Sequence, residues 1–143
     1  MREIKFRGRD SSAFENAGWV YGFFALKYVP YVNREFTERI GTVESPYIIH
    51  TEEGQEPKWI PVRPETVGQY TGQKDKNGRE IYEGDIVEFE DGTRLAVRWD
   101  ERNCFYALVD EDDNVIEDFF DIEPSDYEVI GNIHDDPELL KNE

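Results

Sequence analysis

The stretch Val62–Val87, V-R-P-E-T-V-G-Q-Y-T-G-Q-K-D-K-N-G-R-E-I-Y-E-G-D-I-V, constrains the fold of this chain more than any other. Asn77-Gly78 stands between the strand-prone Gln69-Tyr70-Thr71 and Ile81-Tyr82. Asn-Gly readily adopts the positive φ angles of a tight turn, so the pattern predicts a β-hairpin. A further strand opens at Asp85-Ile86-Val87-Glu88-Phe89. Gly68, Gly72 and Gly78 fall at turn spacing and precede no helix, so they read as turn glycines and not as a phosphate cradle. The stretch signals an architecture and holds no evident catalyst.

The same grammar continues downstream. Asp91-Gly92 separates Ile86–Glu90 from Thr93–Trp99, the clearest hairpin in the chain. Leu95, Val97 and Trp99 alternate with Arg94, Arg98 and Asp100, giving one apolar and one polar face. Cys104–Val109 and Val115–Phe120 flank the turn Asp110–Asn114 as a third hairpin, and Tyr127–Ile133 supplies a closing strand. Short strands joined by tight turns make a small barrel or sandwich the economical solution, and the barrel is the expectation for Glu65–Ile133. Asp136 before Pro137 predicts a one- to two-turn tail helix.

Upstream the elements are less regular. Ile4 and Phe6 alternate with Glu3, Lys5 and Arg7 as a half-buried strand ended by Gly8, and a polar loop runs from Asp10 to Gly18. Trp19–Leu26 is a strand whose interior Gly22 predicts a bulge or the close approach of another backbone. Pro30 argues against regular structure over Tyr28–Arg39, while Val43–Thr51 reads as a strand. Pro57, Pro61 and Pro64 place Trp59–Val62 at an edge or in a connector. The boundary falls here, dividing a β-rich unit, 1–64, from a barrel with its tail, 65–143, on which the first unit packs.

Charge divides at the same place. Residues 1–64 hold nine Lys/Arg and nine acids, leaving 7 bases against 24 acids, and the whole net charge of −17, in residues 65–143. An acidic half of this size is repelled from nucleic acid and anionic membranes, so direct binding to either is not expected. Arg2, Lys5, Arg7 and Arg9 form a local basic cluster that suits an anion, although a solvated strand face is the preferred reading. Aromatic residues make up 14% of the chain, too many for a disordered acidic segment, so a packed core is expected. Cys104 is the only cysteine, which excludes an internal disulfide, and its apolar neighbours Phe105–Val109 predict a small buried hydrophobe. No signal-peptide core or membrane-length apolar run occurs, and a soluble, cytoplasmic protein is expected.

Candidate chemistry is thin. Asp110, Asp112, Asn114, Asp118 and Asp121 match positions 1, 3, 5, 9 and 12 of a calcium loop, but Val115 stands where the turn needs glycine and Asp121 where a longer Glu is usual. A solvated hairpin tip is the better reading. His50 and His134 lack partners at ligand spacing, so no metal site is assigned. Ser11, Ser12 and Ser45 lack a nucleophile-elbow context. Glu83 and Asp85 flank Gly84 and are the only carboxylates worth testing for catalysis, yet carboxylates at turns usually cap backbone amides. Trp19, Tyr21, Phe23, Tyr28 and Tyr31 suit either a base-stacking platform or a core or subunit interface, the second being preferred. Asp110–Asp113, Glu117, Asp118, Asp121 and Glu123 form a dense acidic surface, either solubilising or a dock for a basic protein, even a DNA mimic. No catalytic, cofactor or metal-binding residue is assigned, no cofactor is expected, and a non-enzymatic role is expected.

Several strings together resemble the YopX family of phage- and prophage-encoded proteins. They are R-E-I-K-F-R-G at Arg2–Gly8, W-V-Y-G at Trp19–Gly22 and P-E-T-V-G-Q-Y-T-G at Pro64–Gly72. With them go K-D-K-N-G-R-E-I-Y-E-G-D-I-V at Lys74–Val87 and V-I-G-N-I-H-D-D-P-E-L-L at Val129–Leu140. The resemblance runs nearly end to end. It implies a mainly β fold with an SH3-like barrel in the second half, assembly into homo-oligomers, and no established activity. The family supplies no accepted catalytic residues to carry over.

Overall fold

The computed structural model describes residues 3–12, 18–32 and 39–141, with backbone only at 30–32, 39–42 and 124. Arg2, the side chain of Tyr31 and residues 13–17 of the expected polar loop lie outside the described residues. The chain is mainly β and divides into two compact units, Lys5–Val67 and Gly68–Glu143 with Met1–Ile4. Among the described residues no helix is long and apolar enough to cross a membrane.

The first unit is an antiparallel sheet of β1 (Phe6–Arg9), β2 (Trp19–Val32), β3 (Arg39–His50) and β4 (Lys58–Pro61), in the order β4-β3-β2-β1. Phe24 faces Ile48 across β2 and β3, and Ile48 faces Ile60 across β3 and β4; Ile48 is fully buried. A 3-10 turn, Pro64–Thr66, closes the unit. Its Thr66 hydroxyl accepts from the Arg9 N–H at 2.9 Å and donates to the Arg63 carbonyl at 2.7 Å. Gly22 meets the expected close backbone approach, since a Cβ there would run into the Ile49 carbonyl.

Two local expectations fail in this unit. Strand β1 starts at Phe6 and passes through Gly8, leaving Ile4 outside it and exposed while Arg7 and Gly8 are buried. Alternation misjudged this face because Arg7 buries by stacking its guanidinium 4.5 Å over the Trp19 ring. Gly8 packs against Val62, with room for no larger side chain. Pro30 does not interrupt β2, which continues to Val32 and pairs Pro30 with Thr42. Beyond Gly22, β1 no longer pairs with β2, so this part of β2 has β3 on one side only. A strand with an unpaired side tolerates a missing N–H.

In the second unit β5 (Gly68–Lys74) and β6 (Glu80–Tyr82) form the hairpin around Asn77-Gly78. A five-stranded antiparallel sheet follows: β7 (Asp85–Phe89), β8 (Arg94–Asp100), β9 (Phe105–Val109), β10 (Val115–Asp118) and β11 (Tyr127–Asn132), in the order β10-β9-β8-β7-β11. Val87, Leu95, Val97, Tyr106, Leu108 and Val129 from this sheet pack with Ile81, Phe119 and Tyr127 into the core. Ala96, Ala107 and Val109 form a smaller cluster against which Phe105 and Leu140 pack.

Three features depart from expectation. No described pairing joins β10 to β11, so the sheet is not closed into a barrel. The tail is a single 3-10 turn, Pro137–Leu140, in place of an α-helix. Four residues after a proline form too short a segment to offset helix nucleation. Cys104 is exposed, contrary to its predicted burial, because it occupies the β8–β9 turn at φ 54° and the buried run begins only with the strand that follows.

Candidate interaction surfaces

The Lys74–Val87 string organises its surroundings through two buried carboxylates. Asp75 Oδ1 accepts from the N–H groups of Asn77 and Arg79, each at 2.9 Å, which closes the hairpin turn. Its Oδ2 accepts the Val129 N–H of β11 at 2.9 Å, and the Lys76 N–H donates to the Tyr127 carbonyl at 3.3 Å. The turn thereby occupies the outer side of β11. Asp85 Oδ2 accepts the Tyr82 N–H at 2.8 Å. Between them the Gly84 N–H donates to the Val97 carbonyl at 2.8 Å, and the Gly84 carbonyl accepts from Ile133 at 2.9 Å. Asp85, one of the carboxylates nominated for chemical testing, thus caps a backbone amide of this turn through Oδ2.

The structure separates the four described members of the aromatic group. Trp19, Tyr21 and Phe23 alternate onto one face of β2, and Tyr28 belongs to the opposite face. The first face is shared with Tyr47, Ile49 and Trp59, by register. There the Tyr47 and Trp59 rings lie 6.0 Å apart, with the Lys27 ammonium 5.8 Å and 5.7 Å from their centres. Arg9 shares the Trp19 ring with Arg7, at 5.2 Å. Two members of the basic cluster therefore rest on an aromatic ring. On the opposite face Phe24 packs on Phe6 at 5.6 Å, and Leu26 and Tyr28 are 51% and 71% exposed.

At the acidic hairpin, Asp110 Oδ1 accepts from the N–H groups of Asp112 and Asn114, at 3.0 Å and 2.9 Å. These bonds, with the Asn114 side chain, hold the Asp110 carboxyl below the usual carboxylate range. The calcium-loop candidate Asp110 is thus a turn cap. Asp113, at φ 66°, pairs with Arg98, and Asp118 caps the Phe120 N–H at 2.9 Å. Among the described residues no group of three or more His, Cys, Asp or Glu could hold a metal ion.

The remaining candidates stand apart. His50 Nδ1 lies 2.9 Å from the Tyr21 carbonyl and Nε2 3.0 Å from Glu52, which raises its pKa above 6.5, the Tyr21 contact contributing most. The His134 N–H donates to Asn132 Oδ1 at 3.0 Å, within a turn that also takes the Asp135 N–H. Ser12 donates to Asp10, and Ser45 faces Lys27 in β3. The Tyr127 hydroxyl is buried with no described hydrogen-bond partner, and burial, ahead of the charges of Asp75 and Asp126, pushes its pKa up to about 12.

A family model described as YopX protein matches residues 26–141. The chain belongs to the YopX family. No curated protein matches it. Among solved structures, the crystal structure of protein EF1440 from Enterococcus faecalis aligns with this YopX-family chain at 23% identity and a TM-score of 0.48. The alignment covers 99% of this chain and 100% of that one. In this YopX-family member the sequence missed the second role of Asp75. Asp-x-Asn is a local signal for a turn cap. Its bond to Val129, 54 positions away, leaves no local signal at all.

Proposed function

We propose that this YopX-family protein is a non-enzymatic binding or assembly module of phage or prophage origin, acting in the cytoplasm and forming homo-oligomers through the unit Lys5–Val67. The exposure of Leu26 and Tyr28 on the β2–β3 ribbon carries the reading, joined by exposed Phe23, Val43 and Trp59. Among the described residues the ribbon is two strands wide from Lys27 to Val32, paired with β3 over Arg39–Ser45, and the chain after β3 flanks it only from Pro46 onward. A two-stranded ribbon is marginal in water unless a further layer covers it. The unit is also nearly neutral, with eight Lys/Arg against nine acids, so copies meeting there avoid the repulsion that the strongly acidic remainder of the chain would impose. The buried carboxylates accept from backbone amides through both oxygens of Asp75 and through Oδ2 of Asp85, which favours an architectural use for the family string. The short strands and tight hairpins of the five-stranded sheet support its reading as the frame of an SH3-like module.

Light scattering coupled to size exclusion tests the reading. The wild-type chain at high micromolar concentration is expected as a defined oligomer. Leu26→Lys/Tyr28→Lys is expected as a monomer with an unchanged circular dichroism spectrum. A strictly monomeric wild type would overturn the proposal. Turnover lost in Glu83→Gln/Asp85→Asn would overturn the non-enzymatic part.

A further inference from the structure

The two edges of the five-stranded sheet are finished differently. The outer side of β11 is occupied by Asp75 and Lys76, which take the Val129 N–H and Tyr127 carbonyl. The outer side of β10 has no strand partner among the described residues. An open edge presents unpaired backbone groups and is a template for another chain. At β10 it also presents apolar side chains, since Ile116 and the following Phe120 are both 50% exposed and Val115 is exposed as well. The register shift between Val115 and Glu117 leaves Ile116 as the extra residue of a bulge.

Charge decides which chain can dock there. Asp110, Asp113 and Asp118 are engaged in the tip, the Arg98 pair and the Phe120 cap. The carboxylates of Glu111, Asp112, Glu117, Asp121 and Glu123 have no described partner. A bulge and a charged edge ordinarily discourage pairing between copies of one protein. Here a second copy would bring the same five negative side chains, and nucleic acid would bring phosphates, so both are repelled. A cationic strand meets no such charge repulsion, which leaves the bulge at Ile116 as a local irregularity that its pairing must span.

We propose that β10 receives, by strand addition, an extended segment of another protein in which basic and apolar residues alternate. Main-chain pairing supplies the geometry, Val115 and Ile116 meet the apolar positions, and Glu111, Asp112 and Glu117 meet the basic ones. The inference goes beyond self-assembly, using a different unit and a different surface from the β2–β3 ribbon.

The probe is a fluorescent eight-residue peptide alternating Lys and Val, added to the full-length chain and followed by anisotropy and by amide NMR shifts. Binding is expected to perturb Val115–Asp118 and to weaken at least tenfold between 50 and 500 mM salt. Glu111→Lys/Asp112→Lys/Glu117→Lys is expected to lose it, and a Glu-Val peptide is expected not to bind. Methylating alternate backbone amides of the Lys-Val peptide separates strand addition from mere ionic attraction, and is expected to cost at least tenfold in affinity. No binding at 50 mM salt, binding indifferent to backbone methylation, or shifts located elsewhere would each overturn the proposal. The measurement is repeated on Leu26→Lys/Tyr28→Lys. Retained binding there separates this surface from self-association, and loss of binding in that variant would place the site on the ribbon and overturn the proposal.

Discussion

Replacing Asp75 by alanine removes the acceptor for three backbone N–H groups at once, those of Asn77, Arg79 and Val129. They are not equal. Asn77 and Arg79 lie in an exposed turn where water can take over, so each lost bond costs about 0.5–1 kcal/mol. Val129 is 7% exposed, and an N–H left without an acceptor there costs about 1–3 kcal/mol. The sum is about 3 kcal/mol, a sizeable share of a small protein's stability of roughly 5–15 kcal/mol. Asp75→Asn keeps one carbonyl oxygen and turns the other acceptor into a donor, so it should lose somewhat less. Urea unfolding would be followed through Trp99 in a Trp19→Phe/Trp59→Phe background, because Trp99 alone among the tryptophans belongs to the Gly68–Glu143 unit. With a slope of about 1–3 kcal/mol per molar urea, the midpoint for Asp75→Ala should fall by about 1–3 M. Hydrogen exchange at Val129 should accelerate in step. A midpoint shift below about 0.3 M, or unchanged exchange at Val129, would refute the claim that this carboxylate seals β11.

Tyr127→Phe removes a buried hydroxyl that has no described partner, so stability is expected to hold or to rise by about 1 kcal/mol; a loss larger than that in thermal unfolding would show that the hydroxyl is bonded. His50 is expected to titrate above 6.5 by NMR, because the ring meets the Tyr21 carbonyl and Glu52, and Glu52→Gln should lower its midpoint. A raised folded-state pKa means that its contribution to stability is complete below the unfolded value near 6.5 and fades as pH rises through the folded value. A His50 midpoint at or below 6.5 would contradict both contacts.

What could be read from the sequence was whatever a turn decides locally. Asp91-Gly92, Asp110–Asn114 and Asn77-Gly78 each join the strands they were expected to join, since positive φ and side-chain caps act within four or five residues. Where a distant partner decides, local pattern failed. Arg7 is inside because of Trp19, Pro30 is tolerated because one side of β2 is unpaired, and Cys104 is outside because the β8–β9 turn needs one residue at positive φ. The candidate surfaces were half legible. Aromatic abundance in the first unit and acid abundance in the second are compositional facts, but the division of Tyr28 from Trp19, Tyr21 and Phe23 follows from strand alternation once β2 is known to be continuous.

The two exposed surfaces need not compete, because they differ in charge. An apolar ribbon without net charge suits the proposed self-association, because no net charge on it repels a copy. An open strand edge ringed by five unpartnered carboxylates does the reverse, since identical edges repel while a cationic edge is attracted. Had the acids been spread evenly, both surfaces would have been weakly self-repelling and weakly selective. Segregating all seventeen net charges into residues 65–143 removes net-charge repulsion from the proposed self-association of the first unit and would make the second selective for partners of opposite sign. Sealing β11 with Asp75 and Lys76 then confines strand addition to β10, so one turn in the Lys74–Val87 string decides which edge of the sheet a partner can reach.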